Sequence, residues 1–132
     1  MSGKRAAGGE AGVATLEAVL VFPVLLLLLM LIIQFALWYH ASDLANAAAQ
    51  DGARAARVEG ATAADGATRA NQLLDQTGRS ILQGRHVSVQ RGPDITRVDV
   101  RGSCIQLVPF LRLPVHVVVE STTERFRGRR AR

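Results

Sequence analysis

The sequence predicts a membrane-anchored α+β protein: a long N-terminal transmembrane helix that continues outside, a second helix, and a small antiparallel β-sheet. Three observations predict it. Residues 18–33 form sixteen consecutive apolar positions. Residues 41–57 are dense in alanine, with small residues recurring at spacings of three and four. Beyond residue 86 the pattern changes to an alternation of period two.

The apolar run extends through Gln34 to Trp38 and Tyr39. The 22 residues 18–39 make a helix about 33 Å long at roughly 1.5 Å per residue. That is sufficient for a hydrocarbon core about 30 Å thick. Trp38 and Tyr39 fall at the far end, where aromatic side chains with a polar tip favour the headgroup level. His40 follows them at the same interface. A soluble core helix is excluded by the remainder: 93 residues, polar and basic, are too few to wrap such a segment. Lys4 and Arg5 precede the run, with Glu10 and Glu17 as the nearby acids, while His40 and Asp43 follow it and the first later arginine is Arg54. This basic bias places the N-terminus in the cytoplasm and residues after Tyr39 outside.

Residues 1–12 are a Gly/Ala/charged leader without periodicity, read as unstructured. Transmembrane residues 13–40 contain Pro23, which removes one helical hydrogen bond and favours a kink. A helical extension covers 41–58; alanine is the strongest helix former. Ala45, Ala48, Ala49, Gly52 and Ala56 share one face there, and small residues let a second helix approach closely. One continuous helix of about 45 residues is expected from Val13 to Arg57. Residues 59–122 then form a small extracytoplasmic α+β domain. Glu59, Gly60 and Ala61 end the first helix. A second is expected over 63–82, on Ala67, Ala70, Leu73, Leu74, Thr77, Ile81 and Leu82. Gly66 and Gly78 weaken it, Gly78 as a break, and Gly84 suits its C-cap.

Val87 and Val89 alternate with polar residues, Gly92-Pro93-Asp94 reads as a turn, and Thr96, Val98 and Val100 alternate against Arg97, Asp99 and Arg101. These runs predict a hairpin. Pro109 and Pro114 bracket a loop. Val115, Val117 and Val119 predict a third strand, with His116 and Glu120 on its other face. The sheet is expected to pack on the second helix or on the extension of the first. Residues 123–132 read as a basic disordered tail, with five arginines and one glutamate over 124–132. Phe126 is the tail's only ring, so no nucleic-acid module or partner is expected.

The lone cysteine, Cys104, excludes an intramolecular disulfide and suits a small buried apolar position. His40, His86 and His116 have no metal-ligand spacing, so no metal or other cofactor is expected. No nucleophile elbow and no phosphate-binding glycine loop are present. The chain reads as a structural or assembly protein rather than an enzyme.

Gly12 is followed by Val13, by Glu17 and by the apolar run with Pro23, in the string GVATLEAVLVFPVLLLLL of residues 12–29. This resembles the processing signal of type IV prepilins and, more closely, the TadE-like family of minor pilins and pseudopilins of tight-adherence (Flp) pilus systems. Gln34 and the alanine-rich residues 47–57 fit as well, so the resemblance covers about residues 11–58. It implies cleavage by a prepilin peptidase between Gly12 and Val13. It implies that Glu17, with Pro23 further along the helix, serves assembly with other pilins and pilus components in a homo- or hetero-oligomer. In such systems the glutamate meets the free α-amine of a neighbouring subunit. Val13 departs from the aromatic or methionine common at the first mature position of type IVa pilins. Two other readings stay open. One is an uncleaved single-pass anchor displaying a small binding domain. The other is a secreted protein cut after the A-x-A pattern of residues 45–47.

Overall fold

The computed structural model describes residues 3–77 and 79–125, with side chains from residue 9 onward. The chain is α+β. In order it forms α1 (Gly3–Arg57), α2 (Ala63–Thr77), β1 (Leu82–Arg91), β2 (Ile95–Cys104) and β3 (Pro114–Thr122). The strands make one antiparallel sheet in the order β1-β2-β3.

Helix α1 has 55 residues, longer than the 45 expected, because it begins at Gly3 rather than near Val13. The leader expected to be unstructured is therefore helical from Gly3 on. Once the apolar run has met the cost of helix nucleation, each added residue gains a hydrogen bond. Ala6, Ala7 and Ala11 favour that extension. The helix also runs on through Pro23.

Two functions divide α1. From Gly9 to Leu29 every side chain is exposed. From Gln34 outward one face is covered: Gln34, Ala41, Ala45, Ala48, Ala49, Ala53 and Ala56 are buried. This face packs α2 and the sheet, and the core closes with Ala70, Leu74, Leu82, Val98, Val100, Cys104 and Val115. The predicted small-residue stripe thus becomes the helix–helix seam. Gly66, which weakened α2 on propensity, lies at its centre. A Cβ on Gly66 would stand 2.7 Å from the Ala56 Cβ and 2.8 Å from the Gly52 carbonyl oxygen.

The turn between the helices has a physical cause at each step. Gly60 takes φ +80°, a left-handed conformation that a glycine reaches without a Cβ penalty. Thr62 and Asp65 then cap α2 reciprocally. The Thr62 backbone N–H donates to Asp65 Oδ2 at 2.7 Å, and the Asp65 backbone N–H donates to Thr62 Oγ1 at 3.2 Å. The backbone bond from Thr62 holds the Asp65 carboxyl below its ordinary value. The last carbonyls of α1 are met from the sheet. Arg91 Nε donates to the Ala56 oxygen at 2.8 Å, and the Glu124 N–H donates to that of Arg57 at 3.0 Å. A cation there also complements the helix dipole.

Helix α2 ends at Thr77, not at Leu82, and Leu82 instead opens β1 opposite Cys104. Gly84 is correspondingly not a helix cap. It lies in β1 with φ +58°, where the register slips between Gln83 and His86. Two residues there oppose one on β2, a β-bulge with glycine in the left-handed position. The bulge decides which side chains face inward. Leu82 and Val87 are five apart, so strict alternation would put them on opposite faces; the extra residue brings both to the core side. Gly78, considered as a helix break, lies outside the described residues.

The hairpin turn is where the sequence predicts it: the Gly92 N–H donates to the Ile95 oxygen at 2.9 Å. Thr96, Val98 and Val100 point into the core and Arg97 and Arg101 away from it. Pro114 is the first residue of an edge strand, a position that needs no ladder N–H. Cys104 is a buried free thiol, its pKa raised by desolvation. The expected tail begins ordered: the Thr123 N–H donates to the Asp94 oxygen at 2.9 Å, and Arg125 pairs with Asp94 at 3.4 Å. Residues 126–132 of that tail lie outside the described residues.

On the solvent face of the sheet Asp99 accepts from Arg101 Nε at 3.0 Å and contacts His116 Nε2 at 3.1 Å. The Arg101 bond holds the Asp99 carboxyl below its ordinary value of 3.8; burial opposes this, and His116 adds to it. The folded value lies below the unfolded one. The stabilisation is therefore complete above the ordinary carboxylate range and is lost as pH falls through the lowered value. Asp99→Asn is expected to flatten the loss of stability as pH falls below about 4, measured by denaturant unfolding at each pH. An unchanged slope would assign the acid sensitivity to Asp65 and Asp75, whose carboxyls are lowered too.

Candidate assembly helix and its junction with the outer domain

Gly12, Val13, Glu17 and Pro23 all lie on the bare part of α1, and all are exposed. A Cβ on Gly12 would meet nothing within 4 Å. Val13 and Glu17 are four residues apart, hence on one face and about 6 Å apart along the axis. Nearby, Thr15 Oγ1 donates back to the Ala11 carbonyl at 2.8 Å, a bond that leaves the helix intact. No described residue of α2 or the sheet covers these positions. The bare stretch is a helical stalk with two carboxylates, Glu10 and Glu17, near its base and an apolar surface above.

At the other end of the apolar run stands Gln34, the one fully buried polar residue among the described side chains of α1. Its carboxamide is spent entirely on the connection between β2 and β3. Oε1 accepts from the Leu107 N–H at 2.6 Å and the Val108 N–H at 3.2 Å. Nε2 donates to the Ile105 oxygen at 3.0 Å and approaches Cys104 Sγ at 3.8 Å. One turn further, Trp38 Nε1 donates to the Pro114 oxygen at 3.0 Å. The indole expected at the headgroups is thus also a clasp on the sheet, whereas Tyr39 stays 72% exposed.

Hydrogen-bonded contact with the domain therefore starts at Gln34, several residues before the end of the 13–40 span read from hydropathy. Sixteen apolar residues separate Glu17 from Gln34, and the two are about 26 Å apart along the helix. Sequence reasoning gave Gln34 no structural role. The available signal was physical: a carboxamide inside an apolar run is costly unless its hydrogen bonds are met. Its partners lie 70 to 74 residues away.

Among the described residues no group of three or more His, Cys, Asp or Glu side chains is placed to hold a metal ion. The helix α1 is long and apolar enough to cross a membrane, and its most apolar window is wholly uncovered by the rest of the chain. Residues 12–54 match the model of a protein family described as TadE-like protein. The match begins at Gly12 and takes in Glu17, the apolar run, Gln34 and most of the alanine seam, about a third of the chain. No curated protein and no solved structure matches the chain.

Proposed function

We propose that this chain, TadE-like over residues 12–54, is a minor pilin or pseudopilin of a tight-adherence (Flp) pilus or a related secretion system. A prepilin peptidase removes residues 1–12, and the bare half of α1 then packs beside the helices of other pilins. The N-terminus is cytoplasmic, on the basic bias of Lys4 and Arg5, and the sheet domain is extracytoplasmic. The role is structural rather than enzymatic.

One observation carries this reading. The family match starts at the residue where cleavage is expected and covers a helix whose apolar surface is left bare. Glu17 gives that surface its chemistry. A carboxylate at the edge of the hydrocarbon is stabilised by a cationic partner. The α-amine released at Val13 of a neighbouring subunit is such a partner. Cleavage also requires the helix to open locally around Gly12. Gly9 and Gly12 lower the cost of opening by about 1 kcal/mol each relative to alanine.

Gly12→Val is expected to leave a protein heavier by the 12-residue leader when the peptidase is present, read by mass spectrometry of the membrane fraction. Glu17→Val is expected to leave processing and the outer domain intact but to lose recovery of pilus components in a crosslinking pull-down at equal membrane abundance. Retention of residues 1–12 by the wild-type protein beside its peptidase would instead establish an uncleaved anchor. Equal partner recovery by Glu17→Val would reduce Glu17 to an interfacial acid without an assembly role.

A further inference from the structure

The connection between β2 and β3, residues 105–113, reads IQLVPFLRL and carries the most exposed large apolar side chain of the outer domain. Phe110 is 103% exposed, and Leu107 is 40% exposed. Phe110 is also the one non-glycine residue with positive φ among the described residues, at +75°. A bulky side chain in that conformation is strained, and such outliers persist where they serve a purpose. A strained turn that presents a phenyl ring to water is unfavourable on two counts.

The level of this loop along α1 is known, because the Leu107 and Val108 N–H groups both bond to Gln34. One turn below, on the same face, Met30 and Leu31 are half-covered, whereas every residue from Gly9 to Leu29 is exposed. Cover on α1 therefore begins within the apolar run, one turn below the residue that holds the loop. A hydrocarbon core about 30 Å thick spans about 20 helical residues. Placed with its inner edge at Glu17, it ends near Leu37, beyond Gln34. Any tilt of the helix carries the loop deeper. Backbone N–H groups at that depth need internal acceptors, which is what Gln34 supplies. Arg112, the loop's single charge, has a stem long enough to bring its guanidinium to the headgroups.

We propose that residues 107–111 form a second membrane contact, with the Phe110 ring seated in the acyl-chain boundary of the outer leaflet beside α1. The occupant of this surface is lipid, because the loop that carries the exposed ring is bonded at Leu107 and Val108 to Gln34, at the end of the helix surface that the bilayer covers. The outer domain is then held at two points and stands at a set height and angle on the membrane. The proposal rests on the membrane span of α1 and not on processing or assembly.

The test uses the full chain in phosphatidylcholine/phosphatidylglycerol vesicles at low protein density. Phe110→Cys, Asp94→Cys and Leu25→Cys are each made in a Cys104→Ser background and labelled with an environment-sensitive fluorophore. Asp94 lies at the far end of the hairpin with its side chain 82% exposed, and Leu25 lies mid-span. Lipid carrying a shallow spin-label quencher is expected to quench the probe at 110 about twofold or more and the probe at 94 not at all. Iodide is expected to show the reverse order. A probe at 110 as open to iodide as that at 94 would overturn the proposal. So would a probe at 110 shielded from both quenchers, which would mark contact with a second copy. If a deep quencher also fails to reach the probe at Leu25, the membrane span itself is wrong; quenching at 25 without quenching at 110 removes this proposal alone.

Discussion

Gln34→Leu is expected to destabilise the domain formed by α2 and the sheet by about 3–5 kcal/mol and to free the 105–113 loop from α1. Leucine has nearly the right volume, so the effect isolates the carboxamide. It leaves the Leu107 and Val108 N–H groups and the Ile105 carbonyl without their partner. Each buried unsatisfied group costs about 1–3 kcal/mol, less where water can enter. Against a typical domain stability of about 5–15 kcal/mol the loss is large. Gln34→Glu separates the two halves of the site. A carboxylate still accepts from both N–H groups but cannot donate to Ile105, so an intermediate loss is expected when it is ionised. Hydrogen exchange at Leu107 and Val108 is the direct measurement, with denaturant unfolding as the global one. Wild-type protection of both amides in Gln34→Leu would show that the loop is held by something other than Gln34.

Gly66→Val is the second large effect, expected at about 2–4 kcal/mol. Helices α1 and α2 meet where Gly52 faces Gly66. A Cβ at Gly66 would stand 2.7 Å from the Ala56 Cβ, 2.8 Å from the Gly52 oxygen and 3.3 Å from Val89 Cγ1. Two of these neighbours are fixed to the α1 backbone, so the helices must move apart. Overpacking of this kind costs about 1–3 kcal/mol, and two further methyl groups add to it. Gly66→Ala should cost less, about 1–2 kcal/mol, because alanine regains about 1 kcal/mol of helix propensity. Gly9→Ala is the control: nothing lies within 4 Å of its Cβ, and no loss is expected. Thermal unfolding of the domain formed by α2 and the sheet separates the three. Equal midpoints for Gly66→Val and wild type would mean that the helices do not approach closely at this seam.

Much of the architecture is legible in the sequence because it is written in short-range periodicity. The apolar run, the alanine face and the alternating valines each follow from spacings of two to four residues, and each appears as an element of the expected type. The inward set Thr96, Val98 and Val100 follows the same way, and the burial of Cys104 follows from its residue type. The exposed placement of Gly12, Val13, Glu17 and Pro23 is also legible, since nothing in a domain this small could cover them.

What sequence reasoning missed depends on pairing between distant segments. Leu82 has helical spacing to Leu74, yet it joins β1 because Cys104 lies opposite and the core has room for it there. Gly84 suits a helix cap, yet it forms the bulge that keeps Leu82 and Val87 on one face. Gly66 weakens a helix in isolation, yet it lets two helix backbones come together. Gln34 shows the division most clearly. Its sequence neighbours are apolar and contain no partner for a carboxamide, and its hydrogen bonds reach 70 to 74 residues along the chain. The sequence by itself determined the stalk, its carboxylate and the kinds of element that follow. Only the tertiary structure decided where the membrane segment meets the domain, because satisfying a buried polar group is a property of the assembled surface and not of its local sequence.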